Sequence, residues 1–223
     1  MIKSVAALTL LLPVITGCGE SRSSTKDLST EERFRLGKEA LDKGNHQKAQ
    51  EYFEVILLQD PASEYADDAQ FYLAESFYQT DEYRVAAFHY SRVLNDFPGS
   101  PFYKQALYMT GKCYYNVSPQ YERDQRQTDN AIRQYKAFVQ FYPTDSLSKH
   151  ARERILELRS RLAQRDYSVA QHYLDRGEYK AAEIYFKRVI DRYPDTKYYA
   201  LAQKGMEEAS REITTIEAKD KGS

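Results

Sequence analysis

Apolar positions in this chain recur at helical spacing. Ala49, Phe53 and Ile56 stand at i, i+4 and i+7, which places them on one helix face. Upstream, Phe34, Gly37, Ala40 and Leu41 form a second such face, and Leu73, Ala74 and Phe77 a third. Short polar stretches separate the runs: Lys43-Gly44-Asn45, Thr80-Asp81-Glu82 and Arg176-Gly177-Glu178. Glycine or aspartate supplies the turn chemistry in each. Proline closes the second run of each pair, because it disfavours helix at the residue before it. Ser29-Thr30-Glu31-Glu32 has the spacing of a capping box and predicts the start of the first helix.

The pairs repeat. With Pro61, Pro98, Pro143 and Pro194 aligned, Ala69, Ala106, Ala151 and Ala202 stand eight residues after them. Phe53, Tyr90, Tyr135 and Phe186 stand eight before, and Ala49, Ala86, Ala131 and Ala182 twelve before. Ile56, Val93, Phe138 and Val189 stand five before. This unit resembles the tetratricopeptide (TPR) repeat, in which alanine lets paired helices approach and the aromatic fills the groove beyond. The implied fold is all-α, a TPR-type superhelix (α-solenoid) of about four to five repeats. The repeat residues are read as core.

The spacing is uneven. Residues 116–130 are read as an insertion between the helices of the third unit, and an extra helix is expected at about 146–165. A final helix over 196–218, ending soon after Ile216, is expected to cap the stack and leave the last repeat shortened. The expected organisation is repeats 1–2 over 31–100, repeat 3 over 101–145, and C-terminal repeats with the cap over 146–218.

The amino terminus has a different character. Lys3 precedes an apolar stretch, Val5 to Val14, too short for a membrane span of about 20 residues. Ile15-Thr16-Gly17-Cys18 follows and resembles the lipobox of bacterial lipoproteins. That resemblance implies a cleaved signal over 1–17, a covalent lipid on Cys18, and, with Gly19 next, transfer to the outer membrane. Residues 18–30 then form a lipidated tether. The twelve residues of 19–30 reach at most about 40 Å. Contact with the membrane is expected through this anchor alone.

Composition narrows the function classes. The 223 residues carry 32 Lys+Arg against 33 Asp+Glu, which argues against a nucleic-acid partner. Hydrophobic content of 42% and charge of 29% fit a folded chain rather than a disordered one. His46, His89, His150 and His172 show no metal-ligand spacing, and no P-loop, GxGxxG or GxSxG is present. Cys113, beside Lys112, reads as a buried structural residue, with a reactive thiol as the alternative. No enzyme activity, metal or cofactor is expected beyond the lipid. Helix 146–165 concentrates Lys149, Arg152, Arg154, Arg159, Arg161 and Arg165 against Glu153 and Glu157. It reads as a solvated face with a Glu157–Arg161 pair, or as a docking surface for an acidic partner.

Residues 161–196 carry a more specific signature. Tyr167-Ser168-Val169-Ala170, Tyr173, Arg176-Gly177 and Tyr179, followed by the YPDT at 193–196, are similar to a run in the BamD (YfiO/ComL) family of outer-membrane assembly lipoproteins. Asp124-Gln125 and Gln127-Thr128 are similar to that family's third-unit extension, and His172 stands where the family has tyrosine. The resemblance implies a scaffold in the complex that folds and inserts β-barrels. It implies that the C-terminal repeats dock on the POTRA domains of a BamA-like barrel, around Arg165, Tyr167, Gln171, Asp175 and Arg176. It also implies that the N-terminal repeats receive unfolded outer-membrane proteins. By TPR spacing the client groove would include Phe34, Lys38, Leu41, Phe71, Glu75 and Tyr78, with inter-helix packing the alternative for the three aromatics. The competing assignment is a periplasmic TPR lipoprotein of another envelope system, a Tol-Pal partner or a pilotin.

Overall fold

The computed structural model describes residues 28–120 and 124–222. The expected signal segment, Cys18 and tether residues 19–27 lie outside the described residues. Nine helices and no strand are present among the described residues: α1 (Thr30–Asp42), α2 (His46–Gln59), α3 (Ala66–Gln79), α4 (Tyr83–Asp96), α5 (Tyr103–Asn116), α6 (Arg126–Phe141), α7 (Ser146–Asp175), α8 (Tyr179–Arg192) and α9 (Tyr198–Gly222). The all-α repeat fold read from the spacing is the fold observed.

Two turn types alternate along the chain, each with a local cause. Inside a pair, the turn passes through a left-handed residue at one fixed register, seventeen before the aligned proline: Gly44 (φ 72°), Asp81 (φ 62°) and Gly177 (φ 74°). At each, the next N–H closes back on the helix end, Asn45 to Ala40, Glu82 to Phe77 and Glu178 to Tyr173, at 2.8–2.9 Å. That is Schellman closure, which satisfies carbonyls the helix leaves open. Asp81 is the non-glycine member, and its carboxylate accepts a hydrogen bond from the Tyr83 hydroxyl. Gly177→Ala is expected to cost about 1–2 kcal/mol through left-handed strain, seen as a lower urea midpoint at unchanged slope; an unshifted midpoint would refute this account of the turn.

Between pairs, the proline turn makes two successive bonds in every unit. Ser63, Ser100, Asp145 and Thr196 donate their N–H to Asp60, Phe97, Tyr142 and Tyr193, and their own carbonyls accept from Ala66, Tyr103, Ser148 and Tyr199. Ser29 caps α1 by accepting from the Glu32 N–H at 3.2 Å, Asn45 caps α2, and Asp145 caps α7 through the Leu147 N–H at 2.9 Å.

The aromatic column forms the core. Phe53, Tyr90, Tyr135 and Phe186 are all buried, with Ala49, Ala86, Ala131 and Ala182 beside them. Three clusters follow one another, around Phe53, around Phe71 and Tyr90, and around Tyr135, Phe138 and Phe186. Tyr72 and Phe77 join the first two, and Leu94, Tyr108 and Tyr114 join the second to the third. Small residues make the close approaches possible: a Cβ on Gly37 would lie 2.7 Å from the Phe53 ring, and one on Gly111 3.0 Å from the Tyr135 ring.

Three expectations of extent are corrected. The helix expected at 146–165 and the first helix of the fourth unit are a single 30-residue helix, α7, because no proline or glycine interrupts 146–176. The third-unit insertion is shorter than 116–130, since α6 begins at Arg126 and α5 runs to Asn116. The last helix does not stop near Ile216 but continues to Gly222.

Beyond neighbours in sequence, the more extensive helix contacts are α1–α3, α5–α7 and α7–α9. All are odd-numbered. In a curved stack of helix pairs the helices that meet across successive pairs line the inner face, which assigns that face to the odd helices.

Candidate functional site

The inner face carries a series of cation–tyrosine contacts, each bridging two successive odd helices. At the first step, Lys38 of α1 sets its ammonium 3.6 Å from the Tyr72 ring centroid of α3. At the second, Lys112 of α5 lies 5.0 Å from the Tyr78 ring of α3, and Asn116 Nδ2 approaches the Tyr78 hydroxyl at 3.5 Å. At the third, Arg154 and Arg161 of α7 lie 4.6 and 5.5 Å from the Tyr115 ring of α5. Such contacts are worth about 0.5–1 kcal/mol each at exposed sites. Helical geometry supplies the alignment, since residues three and four apart share a face.

The third step is the most elaborate. The Tyr115 hydroxyl donates to the Glu157 carboxylate at 2.8 and 2.9 Å and accepts from Arg154 at 2.8 Å. Arg154 and Arg161 both donate to Glu157, at 2.8 and 2.5 Å. Burial raises the Glu157 carboxyl, but the three donors together outweigh it and leave the group below its ordinary range. Burial and the bond to Glu157 push the Tyr115 hydroxyl up, so it stays protonated as a donor. A carboxylate lowered on folding contributes stability that is complete above the ordinary glutamate range and is lost as pH falls through the lowered value. Glu157→Gln is therefore expected to cost about 1 kcal/mol at neutral pH after solvent screening, and to flatten the acid limb of a stability–pH profile. An unchanged acid limb would count against the clamp.

The expected client residues divide. Lys38 and Tyr78 make the contacts just described. Glu75 accepts from the buried Tyr90 hydroxyl at 2.6 Å and remains partly exposed. Phe34 is partly exposed within a cluster of Phe53, Tyr65 and Tyr72, at 5.3–6.0 Å between centroids. It borders a cavity of about 550 Å³ together with Arg35, Lys38 and Tyr65. Leu41 and Phe71 are corrected: both are core, at 6% and 2% exposure. Phe71 stacks on Phe102 at 4.3 Å, because its position faces the next pair rather than the inner surface.

The expected docking residues sit along α7. Tyr167, Gln171 and Asp175 follow at i, i+4 and i+8, the first two half-buried and the last exposed. Tyr167 is supported from below by Phe186 and Tyr198, at 5.8 and 5.6 Å. Arg176 is exposed and donates to Glu178 at 2.8 Å. Arg165 turns elsewhere, to the buried Asp166 at 3.2 Å, which Arg188 also approaches at 3.8 Å.

Sequence reading missed Tyr115 and Tyr72 as centres of the inner face. Tyr115 carried a signal, standing seventeen residues after Pro98 as Tyr78 stands after Pro61; Tyr72 has no such counterpart. Sequence reading also missed the Arg159–Asp195 clasp at 2.6 Å, reinforced by a bond from Arg159 to the Arg192 carbonyl. The positive stretch 146–165 is mostly spent inside the molecule: Arg154 and Arg161 on Glu157, Arg159 on Asp195, Arg165 on Asp166, and Arg152 on the Pro143 carbonyl. Cys113 is fully buried and its thiol is pushed up to about 12 by burial.

No helix among the described residues is long and apolar enough to cross a membrane, and no metal-type cluster of His, Cys, Asp and Glu occurs among them. Residues 26–223 match a family described as YfiO, outer membrane lipoprotein. The outer membrane protein assembly factor BamD of Caulobacter vibrioides is 30% identical over 198 residues, covering 86% of this chain and 64% of that protein. The protein of the same description from Neisseria gonorrhoeae is 27% identical, covering 78% of this chain and 69% of its own length. The chain thus spans about two thirds of the length of these relatives. Among solved structures, a tetratricopeptide repeat protein from Parabacteroides merdae aligns with 15% identity and a TM-score of 0.45, over 85% of this chain and 78% of its own. With the match running across every described helix, this chain belongs to the YfiO family of outer membrane lipoproteins.

Proposed function

We propose that this protein is a scaffold in the assembly of outer-membrane β-barrels, held at the periplasmic face of the outer membrane by lipid on Cys18. Its inner face receives extended segments of unfolded clients, and the end of α7 docks on POTRA domains of a BamA-like insertase. The observation that carries the reading is the row of cation–tyrosine contacts along one face of the odd helices. A client strand alternates apolar and polar side chains and offers unpaired backbone groups. Tyrosine serves both, through its ring and its hydroxyl. Phe34, Lys38, Glu75 and Tyr78 belong to this surface, joined by Tyr72 and Tyr115. The role named for the relatives, outer membrane protein assembly, agrees with it.

Two experiments test the two faces separately. A photo-crosslinking amino acid at Tyr78 or Tyr115 is expected to capture an unfolded barrel precursor at least tenfold more often than one at Leu58, which is exposed but on an even helix. Equal capture at the three positions would remove the client role of the inner face. For docking, Tyr167→Ala with Arg176→Ala is expected to abolish co-purification of a POTRA-bearing barrel from detergent-solubilised membranes. Undiminished recovery would put the docking surface elsewhere.

A further inference from the structure

The start of α8 and the end of α9 border a cavity of about 470 Å³ whose lining shares no residue with the cation–tyrosine row. Tyr179, Ala181, Ile213 and Ile216 contribute its apolar surface, and Ile216 remains 44% exposed. Three carboxylates, Glu178, Glu217 and Asp220, stand against one ammonium, Lys180, in its lining. Glu178 is already engaged by Arg176 at 2.8 Å, which leaves Glu217 and Asp220, both exposed on α9, as the acidic charge available to a visitor. The volume lies within the range of small recognition pockets, about 300–1,000 Å³.

We infer that this groove binds a basic segment of a protein partner, an arginine or lysine side chain beside a bulky apolar one. The apolar side chain covers Ile213, Ile216 and the Tyr179 ring. The cation meets Glu217 and Asp220 at the rim, where opposite charge favours it over an anionic group. Charge decides against the other occupants. An anionic lipid surface is repelled by the same rim. A second copy docking with the groove on a two-fold axis brings each acidic rim against its own image, and like charges in contact disfavour that pairing.

The test uses the folded protein and two fluorescent pentapeptides, one alternating leucine with arginine and one alternating leucine with glutamate, read by anisotropy at low salt. The arginine peptide is expected to bind at least tenfold more tightly. Glu217→Lys with Asp220→Lys is expected to erase that preference, and Ile216→Ser to weaken binding several-fold; both alter exposed positions, and circular dichroism checks that the helices are retained. Tyr115→Ala on the inner face is expected to leave binding unchanged. Equal affinity for the two peptides overturns the inference, as does insensitivity to the charge reversal. Loss of binding in Tyr115→Ala places the peptide on the inner face and also overturns it. So does a concentration-dependent dimer that the Ile216→Ser change abolishes.

Discussion

Phe186→Ala is expected to remove about 3–5 kcal/mol of unfolding free energy. The ring is fully buried between α8 and its neighbours, in the cluster that also holds Leu158, Val189 and Tyr198. Alanine there loses the transfer free energy of the ring and leaves a cavity that helices pinned by the Arg159–Asp195 clasp cannot close. In a repeat stack each pair contacts only its neighbours, so the damage is expected to be regional. Amide exchange protection should fall in α8, α9 and the C-terminal half of α7 while α1–α4 keep theirs. Uniform loss across the chain would show that the stack unfolds as one unit. The change also bears on the docking surface proposed above: Phe186 supports Tyr167 at 5.8 Å, so any partner that binds there should be lost together with the local fold.

Gly205 tests the same contact from the opposite side. A Cβ at this position would lie well inside van der Waals contact distance of the Phe186 ring. Gly205→Ala is therefore expected to destabilise by about 1–3 kcal/mol through overpacking. That outweighs the roughly 1 kcal/mol that alanine contributes as helix propensity. Combining it with Phe186→Leu, which withdraws the far edge of the ring, should recover much of the loss. A coupling of about 0.5–3 kcal/mol is expected for residues in direct contact. Strict additivity in a thermal or urea double-mutant cycle would mean that the glycine is dispensable for packing.

Much of this architecture is legible in the amino-acid order. The aligned prolines, the alanine and aromatic columns and the left-handed turn residues repeat at constant register, so a local signal is reinforced at each unit. The capping serine at Ser29 is legible for a related reason, since its partner Glu32 N–H is three residues away. Extents are less legible. Uninterrupted polar-rich helix such as 146–175 carries no internal punctuation, and its two expected pieces proved to be one.

The candidate site is legible only in part. Lys38 and Glu75 share one register, but Leu41 stands at the position of Tyr78, and Phe71 at that of Phe34, and both are core. Register sets the direction of a side chain, but its burial depends on what the neighbouring pair places over it, as Phe102 covers Phe71 at 4.3 Å.

By itself, then, the sequence determined the paired helices, their turns, the repeat and the family, because each rests on contacts between residues close in the chain or on spacing that repeats. Only the tertiary structure decided which partners the cations of α7 take. Arg154 and Arg161 turn to Tyr115 and Glu157, and Arg159 reaches Asp195, 36 positions away. It also decided that α9 closes on α8 to form an acidic-rimmed groove between residues more than thirty positions apart, such as Tyr179 and Ile216. The physical reason is range: propensity, capping and periodicity act within a few turns of helix, while partner choice for a long charged side chain depends on which surfaces superhelical packing brings within its reach.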